Sequence, residues 1–294
     1  MSDEWGETFA CFGATCGVFV SGDDAAAAVA RARRRLLGWH ARFTRFDPAS
    51  ELSRLNADPR AAVPVSPTLA ELARVAVAAA EMTDGLVDAT LVGALERAGY
   101  RADLPAPLPL PLALRLAPRR APAAGHPDAP WRRLSVDGDV IRRPPGIALD
   151  SGGLAKGLFA DLLAAELAGH DGFGIDCAGD LRVGGAPRAV RVASPFGGPP
   201  LHTYELADCA AATSGIGRRS WIDPRGRPAH HILDPATGAP AYTGVVQATA
   251  IAPTAVEAEI RAKAAVLSGP EGAADWLAHG GLLVCDGGSH TLCR

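Results

Sequence analysis

Aromatic residues are scarce: Phe, Trp and Tyr make up 5% of the 294 residues, so Ala, Leu and Val must fill the core that a 48% hydrophobic content provides. No apolar run approaches the length of a membrane-spanning helix. Charge of neither sign dominates, and the net charge of -3 gives no overall basic field for nucleic acid or an acidic membrane. Any anion binding must therefore be local. The opening Met1-Ser2-Asp3-Glu4-Trp5-Gly6-Glu7 lacks the basic segment and apolar stretch of an export signal. The six cysteines (Cys11, Cys16, Cys177, Cys209, Cys285, Cys293) show no CxxC spacing, and a chain of this length does not need staples. They are expected to be reduced thiols of a cytoplasmic protein rather than zinc ligands.

What is present is a strand-to-helix turn of unusual make-up. Ala148-Leu149-Asp150-Ser151-Gly152-Gly153-Leu154-Ala155-Lys156-Gly157 ends a short apolar strand in an acid, turns on two glycines and launches an Ala/Leu-rich helix with a lysine in its first turn. Such a turn aims free backbone N–H groups and a positive helix end at one spot, which suits a phosphorylated ligand. A diglycine turn also lets a helix pack closely on a sheet, and shape alone leaves both readings open.

Along the chain, Cys16 to Ser21 is expected as a strand and Asp23 to His40 as a helix capped by Asp23 or Asp24. Arg31, Arg33, Arg34 and Arg35 lie on that helix, as a solvated face or an anion-binding one. A helical turn covers Glu51 to Asn56, and Pro67 to Met82 forms a helix with proline at its first position. Thr83 to Leu95 is a polar, glycine-punctuated insertion of the kind that lines sites. The proline-crowded stretch of about 104–130 predicts an irregular surface excursion, too rich in proline for helix or central strand.

Strands are expected at Arg132 to Val136 and Val140 to Arg143, around an Asp137-Gly138 turn. A helix from Leu154 to Leu167 follows, then strands on both sides of Cys177-Ala178-Gly179-Asp180, at Ala189 to Ala193 and at His202 to Leu206. His230 to Leu233 and Val245 to Ala252 are further strands, Ala255 to Leu267 a helix, and Leu282 to Asp286 the last strand. Many strands and few helices indicate α+β rather than a doubly wound sheet. The expected architecture is one domain over 1–294, with two interlocked lobes and mixed or antiparallel sheets flanked by helices.

The motifs, taken in order, resemble those of the ApbE-type FAD:protein FMN transferases across nearly the whole chain. Phe43 to Asn56 is similar to the family's early aromatic segment, Gly85-Leu86-Val87-Asp88-Ala89-Thr90 to its Gly/Asp/Thr loop, and Asp150 to Gly157 to its central turn. Cys177-Ala178-Gly179-Asp180 resembles its second glycine turn, Thr213-Ser214-Gly215 its TSG triplet, and His231-Ile232-Leu233-Asp234-Pro235-Ala236-Thr237-Gly238 its HxxDPxTG signature, the most specific block. The resemblance implies Mg²⁺-assisted transfer of the FMN half of FAD to a threonine of a client flavoprotein, with AMP released.

Breaking a diphosphate needs charge neutralised on the phosphates, a pocket for the ring and help with the hydroxyl proton. Asp150 and Lys156 are placed for the first, and Phe46 could stack on a ring or simply pack. His231, beside His230, is the candidate for phosphoryl contact or proton transfer, since imidazole titrates near neutrality. Asp234 is expected to shape its own loop, with Thr237-Gly238 completing the turn. Asp88 and Thr90 lie near the nucleotide or cap their loop, and Thr213 and Leu233 join the FAD contacts by the resemblance. Degenerate FAD binding without transfer and FAD hydrolysis to FMN and AMP are the alternatives.

Two blocks depart from the family. Its carboxy-terminal helix carries an aspartate and, four residues on, a threonine that hold the metal with a carbonyl of the central turn, here Gly153. The corresponding positions hold Glu259 and Lys263. Glutamate can ligate Mg²⁺, whereas a protonated lysine cannot, and an ammonium there can instead neutralise a diphosphate directly. Metal binding is therefore expected to be weakened or lost while FAD binding survives. After the TSG triplet, Gly215-Ile216-Gly217-Arg218-Arg219 replaces the family's acidic-aromatic pair, so Arg218 and Arg219 contact phosphate or coat the surface.

Overall fold

The computed structural model describes residues 4–102 and 107–293. Residues 1–3 of the amino-terminal segment, and 104–106 of the proline-rich stretch, lie outside the described residues. In chain order the elements are β1 (Glu4–Cys11), β2 (Ala14–Ser21), α1 (Ala25–Phe43), α2 (Glu51–Ala57), β3 (Ala62–Pro64), α3 (Pro67–Met82), α4 (Val92–Arg97) and α5 (Leu110–Leu116). There follow β4 (Ser135–Asp137), β5 (Val140–Arg142), α6 (Ala155–Leu167), β6 (Gly172–Asp176), β7 (Asp180–Gly185), β8 (Arg188–Val192), β9 (His202–Leu206) and β10 (Ala210–Gly215). The chain ends through β11 (Ser220–Ile222), β12 (Pro228–His230), β13 (Leu233–Asp234), β14 (Ala239–Pro240), β15 (Val245–Ala252), α7 (Ala255–Gly272), β16 (Gly281–Cys285) and β17 (His290–Cys293).

Eight strands in the order β1-β2-β6-β7-β10-β15-β16-β17 build the main sheet, and each neighbouring pair is antiparallel. The fold is therefore α+β with antiparallel sheets. Helices α1, α6 and α7 pack against these strands. Along α1 the buried positions Ala25, Ala28, Val29, Ala32, Leu36, Trp39 and Phe43 recur at three- and four-residue spacing, so one stripe of the helix meets the core while the arginines face outward. Arg33 pairs with Glu7 and Arg35 with Glu166 on that outer face. Phe159 of α6 stacks on Trp39 and Phe43, which ties α6 to α1.

Helices α6 and α7 approach so closely at Gly157 that a Cβ there would lie 2.7 Å from the Ala255 carbonyl oxygen. Asp161 of α6 accepts from the Ala255 and Val256 N–H groups at 2.9 Å each, and Thr254 caps the same helix end. The contact makes one helix the cap of the other.

Several expectations are corrected. Asp24 holds the cap position of α1 at φ 55, but its side chain makes no capping bond. The edge strands β1 and β17 were not expected; their mostly exposed residues carry a weak apolar alternation. Arg132 and Arg133 belong to a single 3-10 turn, and only Ser135–Asp137 pairs as a strand. Leu110–Leu116 is a helix inside the proline-rich stretch, because its proline stands in the first turn, where no N–H is needed. The residues after it are docked, with Ala121 N–H bonded to Tyr242 and Ala123 N–H to Leu267. The strand expected over His230 to Leu233 is broken, β12 ending at His230 and β13 starting at Leu233.

Candidate active site

Three distant segments are fastened together before any ligand is considered. The Asn56 side-chain amide donates to the Leu149 carbonyl and accepts from its N–H, both at 2.8 Å, as a neighbouring strand would. Asp150 N–H donates to Ala89 O at 2.8 Å, joining the central turn to the Asp88 loop. Ser151 Oγ donates to Phe43 O at 2.7 Å, joining it to the end of α1. These bonds fix Asp150, Asp88 and Phe46 around one opening.

That opening is a cleft of about 1220 Å³, its mouth included. Of the residues expected from the sequence, Phe46, Asp88, Asp150, Gly153, Lys156, His231, Leu233 and Lys263 all line it. Thr213 and Glu259 do not. The Thr213 hydroxyl instead meets that of Thr249 at 2.8 Å, across the β10–β15 pair. Glu259 is buried behind the wall, where Oε1 lies 3.2 Å from Lys156 Nζ and Oε2 accepts from Gly157 N–H at 3.0 Å.

Lys156 is not a free cation waiting for phosphate. Asp180 accepts from its ammonium, as does Glu259. Burial would push the Glu259 carboxyl up, but the ammoniums of Lys156 and Lys263 and the Gly157 N–H outweigh it and hold the group below its ordinary range. Lys263 donates to the Gly153 carbonyl oxygen; burial lowers its affinity for the proton, opposed by Glu259.

Arg45, which the motifs did not single out, sits deep in the same wall. It lies 3.4 Å from Asp150, donates to Tyr100 O at 2.7 Å, and stands over the rings of Phe46 and Tyr100. Its only sequence signal was its place between Thr44 and Phe46 in the aromatic segment. Of the Arg218-Arg219 pair, Arg219 lines the cleft and donates to Phe12 O at 2.9 Å, whereas Arg218 is exposed.

His231 departs from the expectation of an imidazole titrating near neutrality. Burial first, then Arg219, His230 and Lys263, push its pKa well below 6.5, so the ring is neutral. Its Nδ1 lies 3.4 Å from the Arg219 carbonyl, which can only accept, so the proton belongs on Nδ1 and the lone pair on Nε2. Asp88 accepts from both the N–H and hydroxyl of Thr90 at 2.7 Å, while its buried Oδ2 has no partner; burial raises its pKa. It thus caps its loop and also presents an unsatisfied oxygen. Asp234 shapes its turn as expected, through Ala236 N–H and the Thr237 hydroxyl, and also accepts from Ala124 of the docked proline-rich segment.

The residues at the expected Mg²⁺ position do not fit the ion. An ammonium sits on the Gly153 carbonyl that would be a ligand, and both Glu259 oxygens are engaged by Lys156 and Gly157. Among the described residues no group of three or more His, Cys, Asp or Glu side chains is arranged to hold a metal.

Comparison with known proteins bears on the whole chain. An FAD:protein FMN transferase of Rhodobacter capsulatus is 30% identical over 285 residues, covering 92% of this chain and 52% of that protein. A protein of the same description from Treponema pallidum is 32% identical over 143 residues, or 43% of this chain and 39% of that one. The matches thus span about half the length of these relatives or less. The crystal structure of an ApbE protein from Thermotoga maritima superposes with a TM-score of 0.80 at 24% identity, covering 99% of this chain and 97% of that one. Pseudomonas stutzeri flavinyl transferase ApbE, in its apo form, gives 0.79 at 20% identity over 100% and 95% of the two chains. At such identities the two structures establish a shared fold. With the family model matching residues 12–285, the chain belongs to the ApbE family.

Proposed function

We propose that this protein transfers the FMN half of FAD to a threonine hydroxyl of a client flavoprotein and releases AMP. The observation that carries the reading is the convergence of Arg45, Lys156, Arg219 and Lys263 with a neutral His231 and the Phe46 ring on one cleft. The names of the R. capsulatus and T. pallidum relatives support it. In the reaction the threonine oxygen forms a bond to the FMN-side phosphorus, and the bond from that phosphorus to the bridging oxygen breaks, leaving AMP. Lys263 and Arg219, the two cations not paired with a carboxylate among the described residues, stabilise the charge that builds on the phosphoryl oxygens. His231 Nε2 carries the lone pair that takes the hydroxyl proton. Phe46 supplies a face for a flavin or adenine ring.

The client is a cytoplasmic protein in this reading. Six free thiols support a reducing compartment, and no described helix is long and apolar enough to cross a membrane. The deciding experiment mixes the purified protein with FAD and a threonine-bearing acceptor domain. Covalent flavin on the acceptor with equimolar AMP supports transfer. Free FMN with AMP would mean hydrolysis, and unchanged FAD would mean binding alone. His231→Gln should lower the transfer rate by roughly 10²–10⁴-fold.

A further inference from the structure

Among the described residues, two of the four cations on the cleft wall make no ion pair with a carboxylate. Arg45 faces Asp150, and Lys156 faces Asp180 and Glu259. Lys263 and Arg219 instead donate to backbone carbonyls, of Gly153 and Phe12. Among the described residues neither lies at ion-pairing distance from a carboxylate. Glu259 is the natural i,i+4 partner of Lys263 on α7, yet its two oxygens are taken by Lys156 and by the Gly157 N–H.

Glu259 and Asp150 act on Lys263 only across a longer gap, and a partly buried cation whose direct contact is a neutral carbonyl gains when an anion enters its reach. Two such cations flank one opening, and together they match the two negative charges of a diphosphate diester. A divalent ion seated on the Gly153 carbonyl would face the Lys263 ammonium directly, and like charges at that range repel.

We infer that Lys263 and Arg219 form a cradle for the diphosphate bridge of a flavin dinucleotide, so that this chain binds FAD without a divalent cation. The inference rests on the flavin dinucleotide reading of the cleft. It also assigns Lys263 as a point charge on the ligand and Arg219 as a fork that can hold two phosphate oxygens.

The test is calorimetric titration of FAD into the intact protein in EDTA and again in magnesium chloride, with flavin fluorescence read in parallel. The expected result is the same dissociation constant in both buffers and no heat when magnesium chloride alone is added to the apo-protein. Lys263→Met and Arg219→Gln should each weaken FAD by about ten- to a hundredfold, the loss typical of a charged hydrogen bond. Lys263→Arg should retain most of the affinity. Riboflavin, which lacks phosphate, should bind each variant as it binds the parent.

FAD binding that requires magnesium would overturn the cradle and leave the flavin reading standing. The cradle falls in the same way if Lys263→Met binds FAD as tightly as the parent in EDTA. An absence of FAD binding in both buffers would overturn the flavin reading and the cradle together. Because the comparison of buffers uses the parent protein, it decides the matter even where a variant does not fold.

Discussion

The Lys263 ammonium donates to the Gly153 carbonyl oxygen, bridging 110 residues of sequence and pinning α7 to the central turn. One turn earlier on the same helix, Glu259 engages Lys156 and the Gly157 N–H. The two contacts put alternating charges behind a single stretch of cleft wall, and that alternation governs how the site responds to substitution.

Removing Glu259 leaves the Lys156 ammonium with Asp180 alone and the buried Gly157 N–H with no acceptor. Glu259→Ala is therefore expected to cost about 3–5 kcal/mol, the usual loss when one member of a buried ion pair is deleted. Glu259→Gln keeps an oxygen for Gly157 and should cost less. Urea unfolding of both variants at neutral pH measures the difference, and equal losses would mean that charge is irrelevant there. Since the Glu259 pKa is depressed in the fold, its contribution is present above the ordinary carboxylate pKa of 4.5 and is lost as pH falls through the lower folded value.

Asp161 acts through the helix it caps. Asp161→Ala strands the N–H groups of Ala255 and Val256 at the start of α7, which should cost about 1–2 kcal/mol. Asp161→Asn is no remedy, because its NH₂ would oppose one of those donors. Hydrogen exchange at the first turn of α7 should quicken in both variants; unchanged protection would show that Thr254 suffices as a cap.

His230 predicts an acid sensitivity separate from the site chemistry. Burial takes its pKa down to about 3, and it packs edge-on against Tyr242 at 4.7 Å. A depressed histidine contributes stability that is complete above its ordinary pKa of 6.5 and is lost as pH falls toward 3. His230→Phe should flatten the thermal midpoint over that window. A midpoint falling as steeply as in the parent would place the acid sensitivity on other groups.

The raised Asp88 pKa has the opposite sign. Its stabilising protonated form is lost as pH rises through the folded value, and above that value the fold carries a desolvated carboxylate with an unpartnered Oδ2. Asp88→Asn keeps an oxygen for Thr90 and removes that charge. Above the folded pKa its midpoint should exceed the parent's, with the gain vanishing in acid. A lower midpoint across the whole pH range would mean that the charge is compensated in a way the Thr90 contacts do not show.

Helix α3 was legible to the residue, because Ser66 and Pro67 mark its start and its apolar period is regular. Strand β15 was equally clear from its β-branched run. The cleft residues were legible as motifs, and eight of the ten expected site positions line one opening. Thr213 and Glu259 stand outside that lining, since a motif records which residues occur together and not which way each side chain points. Arg45 and Arg219 were underestimated for the same reason: an arginine in a polar loop reads as solvated until the fold buries its stem.

The chain's own pattern of apolar periods, caps and turn residues determined that it is α+β, where its principal helices begin, and which loops carry polar groups, because these depend on neighbours within a few residues. Only the tertiary structure decided which cations are already neutralised. Charge compensation is set by distances across the fold, and the pairing of Lys156 with Asp180 and Glu259, 24 and 103 residues away, left Lys263 facing a carbonyl.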